Sequence, residues 1–342
     1  MSRTNDILDK TKRKEPEAKK WKVVVGIVVG LLLVILLFSS TYTISEPIVD
    51  EWLSTHPINS LFDFYEYHKD IDEMSVYFVG SSLVATEVYA PAISDKLYNN
   101  GYNISIYNLF VPSETLIMRS IQIDEMVASS PDLIIFGISY SSFVQEHWNE
   151  EYMRLAYGEY NLTPELKSLY TGEELSLMYP GLLYKVEYLK TAFHEKMNGM
   201  NPRGLEKVIE PYGVSRRQGF EETKDMESMI SSANNPGNTW RPIITAEETR
   251  NVKALRYMIN TCKQENIPVI IINMPIHPLL SEKITDESRG NYFAILDTLG
   301  VKIIDMEKEY GDEHFWDLIH TTWDGALDFS DKMADLIIQE LS

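Results

Sequence analysis

The stretch Val76-Tyr77-Phe78-Val79-Gly80-Ser81-Ser82-Leu83 decides the fold. An unbroken apolar run ends at Gly80. Such a run reads as a strand buried on both faces. The glycine permits a tight turn, and two hydroxyls follow where the chain leaves the sheet. Val84 to Tyr98 then reads as a helix closed by Asn99-Asn100-Gly101. Strand, glycine turn, serine and helix together lift a hydroxyl above the carboxyl edge of a parallel sheet. Backbone N–H groups at the helix start can there stabilise an oxyanion. The same residues also fit a polar turn with a helix N-cap, so this segment needs a chemical partner elsewhere.

A partner stands near the C-terminus, in Asp317-Leu318-Ile319-His320-Thr321-Thr322-Trp323-Asp324-Gly325. A carboxylate and an imidazole three residues apart can be arranged so that the aspartate accepts from one ring nitrogen. The other nitrogen is then aimed at a serine. Ser81 is the rival nucleophile, and Asp312 and Asp324 are rival orienting acids.

Between these ends, short apolar strands alternate with amphipathic helices. Strands are expected at Met74–Val79, Ile104–Asn108, Asp132–Gly137, Pro268–Asn273 and Val301–Ile304. Helices are expected at Val84–Asn99, Glu114–Ser129, Ala246–Glu265, Asp286–Leu299 and Asp324–Leu341. The pattern predicts an α/β fold, a doubly wound parallel sheet of five strands in flavodoxin-like order. Gly80, Asn108, Gly137 and Asn273 all fall at carboxyl ends of strands, where such sheets hold ligands. Residues 145–245 break the alternation and exceed an ordinary crossover. They read as a mainly helical insertion over that edge, with helices near 164–169, 181–196 and 221–231.

On these residues the chain resembles the SGNH, or GDSL-type, hydrolase superfamily. Gly80-Ser81-Ser82-Leu83 matches its first block and Asp317-x-x-His320 its last. Asn108-Leu109-Phe110-Val111-Pro112-Ser113-Glu114-Thr115 resembles the second block, and Gly137-Ile138-Ser139-Tyr140 the third. The resemblance implies Ser82 as nucleophile, His320 as base and Asp317 as its orienting acid. It implies an oxyanion hole from Ser82, Ser113 and Ser139. The chain departs from the family with Ser81 for Asp in block one, Ser113 for Gly in block two and Ser139 for Asn in block three. A backbone N–H at Ser113 still donates, whereas the Ser139 hydroxyl is a shorter donor than an asparagine amide. His277 and Trp323, beside the last strand ends and the last block, are candidate substrate contacts. No metal and no cofactor is expected.

The N-terminal region points to a membrane. Val23 to Phe38 carries no polar side chain, and Trp21 and Tyr42 bracket the run. Residues 23–44 are long enough for a transmembrane helix. The first 22 residues hold eight Lys/Arg against four Asp/Glu, leaving 23 against 47 in the remainder. The positive-inside rule then predicts a cytoplasmic basic tail at 1–22, a single span, a stalk at 45–72 and an extracytoplasmic domain at 73–342. Gly26-Ile27-Val28-Val29-Gly30 fits a small-residue helix-packing pattern suited to a membrane partner. A net charge of −20 speaks against nucleic acid. Cys262, the lone cysteine, rules out an intrachain disulfide framework.

A single anchor with an outward SGNH-like domain and a modified oxyanion motif is similar to D-alanyl-transfer proteins of teichoic acid modification. It is also similar to alginate O-acetyl-transfer proteins. This resemblance implies acyl transfer onto a cell-surface glycan beside a multi-span membrane-bound O-acyltransferase. Hydrolysis to water, or a catalytically degenerate module that binds polymer or scaffolds such a complex, are the competing expectations.

Overall fold

The computed structural model describes residues 21–22, 24–31, 57–144, 162–172, 174–175, 225–235, 237 and 242–341. Two compact units divide the chain, Met1–Leu53 and Ser54–Ser342. In the first, residues 24–31 are helical, with Val24, Val25, Ile27, Val28, Val29 and Leu31 exposed. Val23 and residues 32–44 of the expected span lie outside the described residues. Among the described residues no helix is long and apolar enough to cross a membrane.

The second unit is built on a parallel sheet of β1 (Ser75–Gly80), β2 (Ser105–Phe110), β3 (Leu133–Ile138), β4 (Val269–Asn273) and β5 (Lys302–Asp305). Its order is β2-β1-β3-β4-β5, the flavodoxin-like arrangement expected from the alternation. Every residue of β3 and β4 is buried, as a central strand covered by helices on both faces requires. β5 is the half-exposed edge, and Lys302 there pairs with Glu340.

Two expected helices are each divided. Val84–Asn99 becomes Ser82–Glu87 and Ala90–Asn99. Pro91, in the first turn of the second helix, has no N–H to continue the first helix's hydrogen-bond ladder, and Tyr89 before that turn is non-helical. Glu114–Ser129 becomes Leu116–Ser120 and Ile123–Ala128. Thr115 caps the first of these, its side chain accepting from the Met118 N–H at 3.3 Å. Arg250–Gln264, Asp286–Asp297 and Trp323–Leu341 complete the longer helices.

The segment expected as a stalk contributes to the core. Helix Pro57–His68 lies in the second unit, with Leu61, Phe64, Tyr65 and His68 buried. Phe64 packs edge-on to Tyr77 and Tyr107 at centroid distances of 5.5 and 4.9 Å. Of the insertion 145–245, the described parts include helices Pro164–Lys167 and Met226–Asn234. Leu166, Tyr170 and Met229 bury into the common core. The helix expected at 181–196 lies outside the described residues. Cys262 is buried, and burial pushes its thiol up to about 12.

Candidate active site

β1 ends at Gly80, Ser81 is extended, and Ser82 opens the helix Ser82–Glu87. This helix starts very close to the sheet. A Cβ on Gly80 would stand 2.5 Å from Val84 Cγ2 and 2.6 Å from the Gly137 carbonyl oxygen. A Cβ on Gly137 would stand 2.4 Å from the same Val84 methyl. The two glycines are sheet partners, so together they form a notch that receives Val84. β2 runs on to Phe110, so Asn108 lies within the strand and not at its expected end; it donates from Nδ2 to the carbonyls of Val84 at 3.1 Å and Val88 at 2.8 Å. The sheet, through the Gly80–Gly137 notch and Asn108, thus fixes both the height and the direction of the Ser82 helix.

The Asp317–His320 turn is held from three sides. Phe315 and Thr321 form an antiparallel bridge across it. The Trp316 N–H donates to the His320 carbonyl at 2.8 Å. The His277 N–H donates to the Leu318 carbonyl at 3.0 Å. The Thr321 hydroxyl reaches the Thr86 carbonyl on the serine helix at 3.3 Å. Behind it, Ser330 of the C-terminal helix accepts from the Tyr89 N–H at 2.8 Å. Lys96 pairs with Asp331 and Asp335 of the same helix.

These elements bring residues 238 positions apart into contact: His320 Nε2 lies 3.0 Å from Ser82 Oγ. His320 Nδ1 lies 3.1 and 3.0 Å from the two Asp317 oxygens. Asp317 Oδ1 also accepts from the Ile319 N–H at 3.0 Å and the His320 N–H at 2.9 Å. Burial opposes ionisation of Asp317. The His320 hydrogen bond and charge, with those backbone donors, outweigh it and hold the carboxyl at about 2. An ionised carboxylate only accepts. Nδ1 therefore carries a proton, and in the neutral ring Nε2 is the acceptor for the Ser82 hydroxyl. Ser82 and His320 are partly exposed, so the pair is open to solvent.

The other candidates are placed differently. Ser113 is exposed and has φ +60°. With Pro112 before it and the Glu114 N–H donating to the Val111 carbonyl at 3.2 Å, the segment is a type II turn. Ser113 takes the position of that turn that favours glycine. Ser139 is buried and extended at the end of β3, and its Oγ lies 2.8 Å from Ser141 Oγ. Trp323 is half-buried and packs edge-on to Tyr89 at 4.8 Å. His277 is fully buried. Its Nδ1 accepts from the Leu279 N–H at 3.1 Å, and burial lowers its pKa against the upward pull of Asp312 and Asp317. It presents no surface to a substrate and instead pins the Asp317 turn through its backbone. Asp312 lies 3.7 Å from His277 Nε2, and Asp324 is exposed in the first turn of the C-terminal helix.

Two further acidic groups are present. Glu87 is fully buried with neither carboxyl oxygen hydrogen-bonded. Burial, reinforced by the Asp317 charge, raises its pKa well above the usual range. Glu114 is buried against Arg119 at 2.6 Å. Burial pushes its carboxyl up to about 7 against the pull of Arg119. Neither is flagged by periodicity, because both point inward from segments that read as ordinary helix.

A protein-family model matches residues 241–342. No curated protein matches the chain. Among solved structures the chain is similar to TesA, at 10% identity and a TM-score of 0.35, over 79% of this chain and 98% of that one. It is also similar to AlinE4, described as an SGNH-hydrolase family esterase. There the identity is 13% and the TM-score 0.30, over 80% of this chain and 98% of that one.

Proposed function

We propose that this chain is a serine acyl-transfer enzyme, with Ser82 as nucleophile, His320 as base and Asp317 as orienting acid. The observation that carries the proposal is the hydrogen-bonded chain Ser82–His320–Asp317, with both links between 3.0 and 3.1 Å. Ser82 Oγ attacks an ester carbonyl as its proton passes to His320 Nε2. The carbonyl–alkoxide bond breaks, and His320 returns the proton to the leaving alcohol. A second hydroxyl then loses its proton to His320 and attacks the acyl-serine, and Ser82 recovers a proton. Asp317 stabilises the imidazolium formed twice in this cycle. Ser82 is the first residue of its helix, so its N–H has no partner within that helix. That N–H, the Ser113 N–H and the Ser139 hydroxyl are the donors assigned to the oxyanion.

The acceptor assigned here is a cell-surface glycan, with the chain anchored by residues 23–44 and working beside a multi-span membrane-bound O-acyltransferase. The apolar run after a basic tail supports the anchor, and the acidic outer region suits an extracytoplasmic place. The test uses full-length protein in vesicles with a chromogenic ester, with and without an oligosaccharide acceptor. Acylated oligosaccharide, detected by mass and absent in Ser82→Ala, supports transfer. Free acid alone reduces the function to an esterase.

One observation favours a second reading. Ser139 stands in the family's asparagine place with its hydroxyl already paired to Ser141. A polymer-binding or scaffolding module with a disabled oxyanion hole fits that arrangement. It requires that folded protein neither turns over esters nor reacts with a fluorophosphonate.

A further inference from the structure

The turn at residues 111–114, just past the carboxyl end of β2, is held in the less favoured of two conformations. Ser113 has φ +60°, and the Glu114 N–H donates to the Val111 carbonyl at 3.2 Å, which makes the turn type II. Proline at the second turn position suits types I and II alike. Serine at the third position favours type I, because φ > 0 crowds its Cβ. The two types differ at the Pro112–Ser113 peptide, which is flipped by half a turn between them. The Ser113 N–H belongs to that peptide. Its direction is therefore decided by the turn type.

Strained backbone persists where its surroundings over-determine it. Here both flanks of the turn are tied to one buried guanidinium, that of Arg119. Leu109 stands two residues before the turn, and Arg119 Nη2 donates to its carbonyl at 2.7 Å. Glu114 is the last residue of the turn. Arg119 Nε donates to its Oε2 at 2.7 Å, and Nη2 lies 2.6 Å from the same oxygen. The guanidinium is itself fixed, because Nη1 donates to Gln122 Oε1 at 3.1 Å and to Tyr65 Oη at 3.4 Å. The Arg119 backbone N–H donates to the Thr115 carbonyl at 3.0 Å, and Thr115 caps the helix that follows the turn. A rigid planar fork can span two acceptors at once, whereas a lysine ammonium is a point charge on a flexible stem.

We infer that Arg119, acting with Glu114, is a positioning residue that holds the turn 111–114 as type II and so keeps the Ser113 N–H aimed at the oxyanion. Without this clamp the serine turn relaxes toward type I and the donor turns away. The inference rests on the assignment of Ser82 as nucleophile and of Ser113 as an oxyanion donor, and deepens it.

The test uses full-length protein at pH 8, above the value of about 7 to which burial pushes Glu114. It measures kcat and KM for p-nitrophenyl acetate, with rates divided by the folded fraction from near-ultraviolet circular dichroism. Arg119→Lys keeps a charge beside Glu114 and loses the fork. It is expected to lower kcat by about five- to thirty-fold, the population shift set by the left-handed penalty of serine. KM should stay within about two-fold, since an oxyanion donor acts in the transition state. In a Ser113→Gly background the same substitution is expected to cost less than about two-fold in kcat, because glycine takes φ > 0 as readily as φ < 0. A role in packing alone costs the same in both backgrounds. Equal losses in the two backgrounds, or an undiminished kcat in Arg119→Lys, overturn the clamp and leave Ser82 in place. If the lysine variant does not fold, Glu114→Leu with Arg119→Met is held to the same comparison, since it leaves no lone buried ion. Fluorophosphonate labelling without ester turnover moves the comparison to the labelling rate. No turnover and no label on Ser82 overturn the catalytic reading, and this inference with it.

Discussion

Gly137→Ala is expected to damage the site without touching any reacting group. The new Cβ would stand 2.4 Å from Val84 Cγ2 and 2.8 Å from Met274 Sδ. Ordinary contact begins near 3.4 Å, so Val84 must retreat by about 1 Å. Val84 is fully buried, and it lies two residues from Ser82 on a helix of six residues. The helix therefore moves as a piece. Overpacking of this kind costs about 1–3 kcal/mol, and a misplacement of ~1 Å at a nucleophile costs up to ~100-fold in rate. The assay pairs urea denaturation with the rate of fluorophosphonate labelling. Val84→Ala alone should cost roughly 1–3 kcal/mol by leaving a cavity. Combined with Gly137→Ala it removes the clashing methyl, and the longer Met274 side chain can swing aside. The double variant should therefore be more stable than the sum of the singles by about 0.5–3 kcal/mol and should regain labelling. Additive losses, or a Gly137→Ala protein that labels at the wild-type rate, would refute the notch as the support of the nucleophile.

Asp317→Asn should lower kcat by about 10³–10⁴-fold, since the ring tautomer is no longer enforced; steady-state ester hydrolysis checks this. The same variant tests linkage. The Asp317 carboxyl is depressed from 3.8 to about 2, so its stabilisation is present above pH 3.8 and is lost as pH falls toward 2. Wild type should therefore lose on the order of 2 kcal/mol more than Asp317→Asn across that window, by denaturant titration. Glu87→Gln should behave oppositely. The raised Glu87 carboxyl gives full stability below its ordinary value of 4.5 and loses it as pH rises above that. The variant should flatten the decline by up to about 1.4 kcal/mol per pH unit and keep its activity. Ser113→Gly should stabilise by up to about 1 kcal/mol by relieving the left-handed strain, with labelling unchanged; Ser113→Val should do the reverse.

The sheet was legible because its signal is local and strong. Each strand is an apolar run bounded by turn residues, and the observed bounds differ from the expected ones by at most one residue except at the end of β2, which runs two residues further to Phe110. Helix breaks were less legible. Pro91 was a visible signal at the first, but the break near Ile121–Gln122 follows inward-turned Arg119 and Gln122, which satisfy buried partners rather than a periodic face. The pairing of Asp317 with His320 was readable from spacing, since an i, i+3 turn brings their groups together. Placement of His277 was not readable: the same residue type serves a substrate or a loop, and only burial distinguishes them. Glu114 and Arg119 escaped for the same reason. An acid and a base five apart read as solvated helix until the fold encloses them. The stretch at 57–68 reads as a stalk or a helix leading in from the membrane; it is a helix, and its aromatics Phe64 and Tyr65 join the core.

The central claim is that the Ser82 hydroxyl is activated by His320. The most direct measurement is peptide mass mapping of the full-length protein after reaction with a fluorophosphonate. The account predicts one adduct, on Ser82, abolished in Ser82→Ala and strongly slowed in His320→Ala. An adduct on Ser81, or labelling of Ser82 at an undiminished rate in His320→Ala, would contradict it.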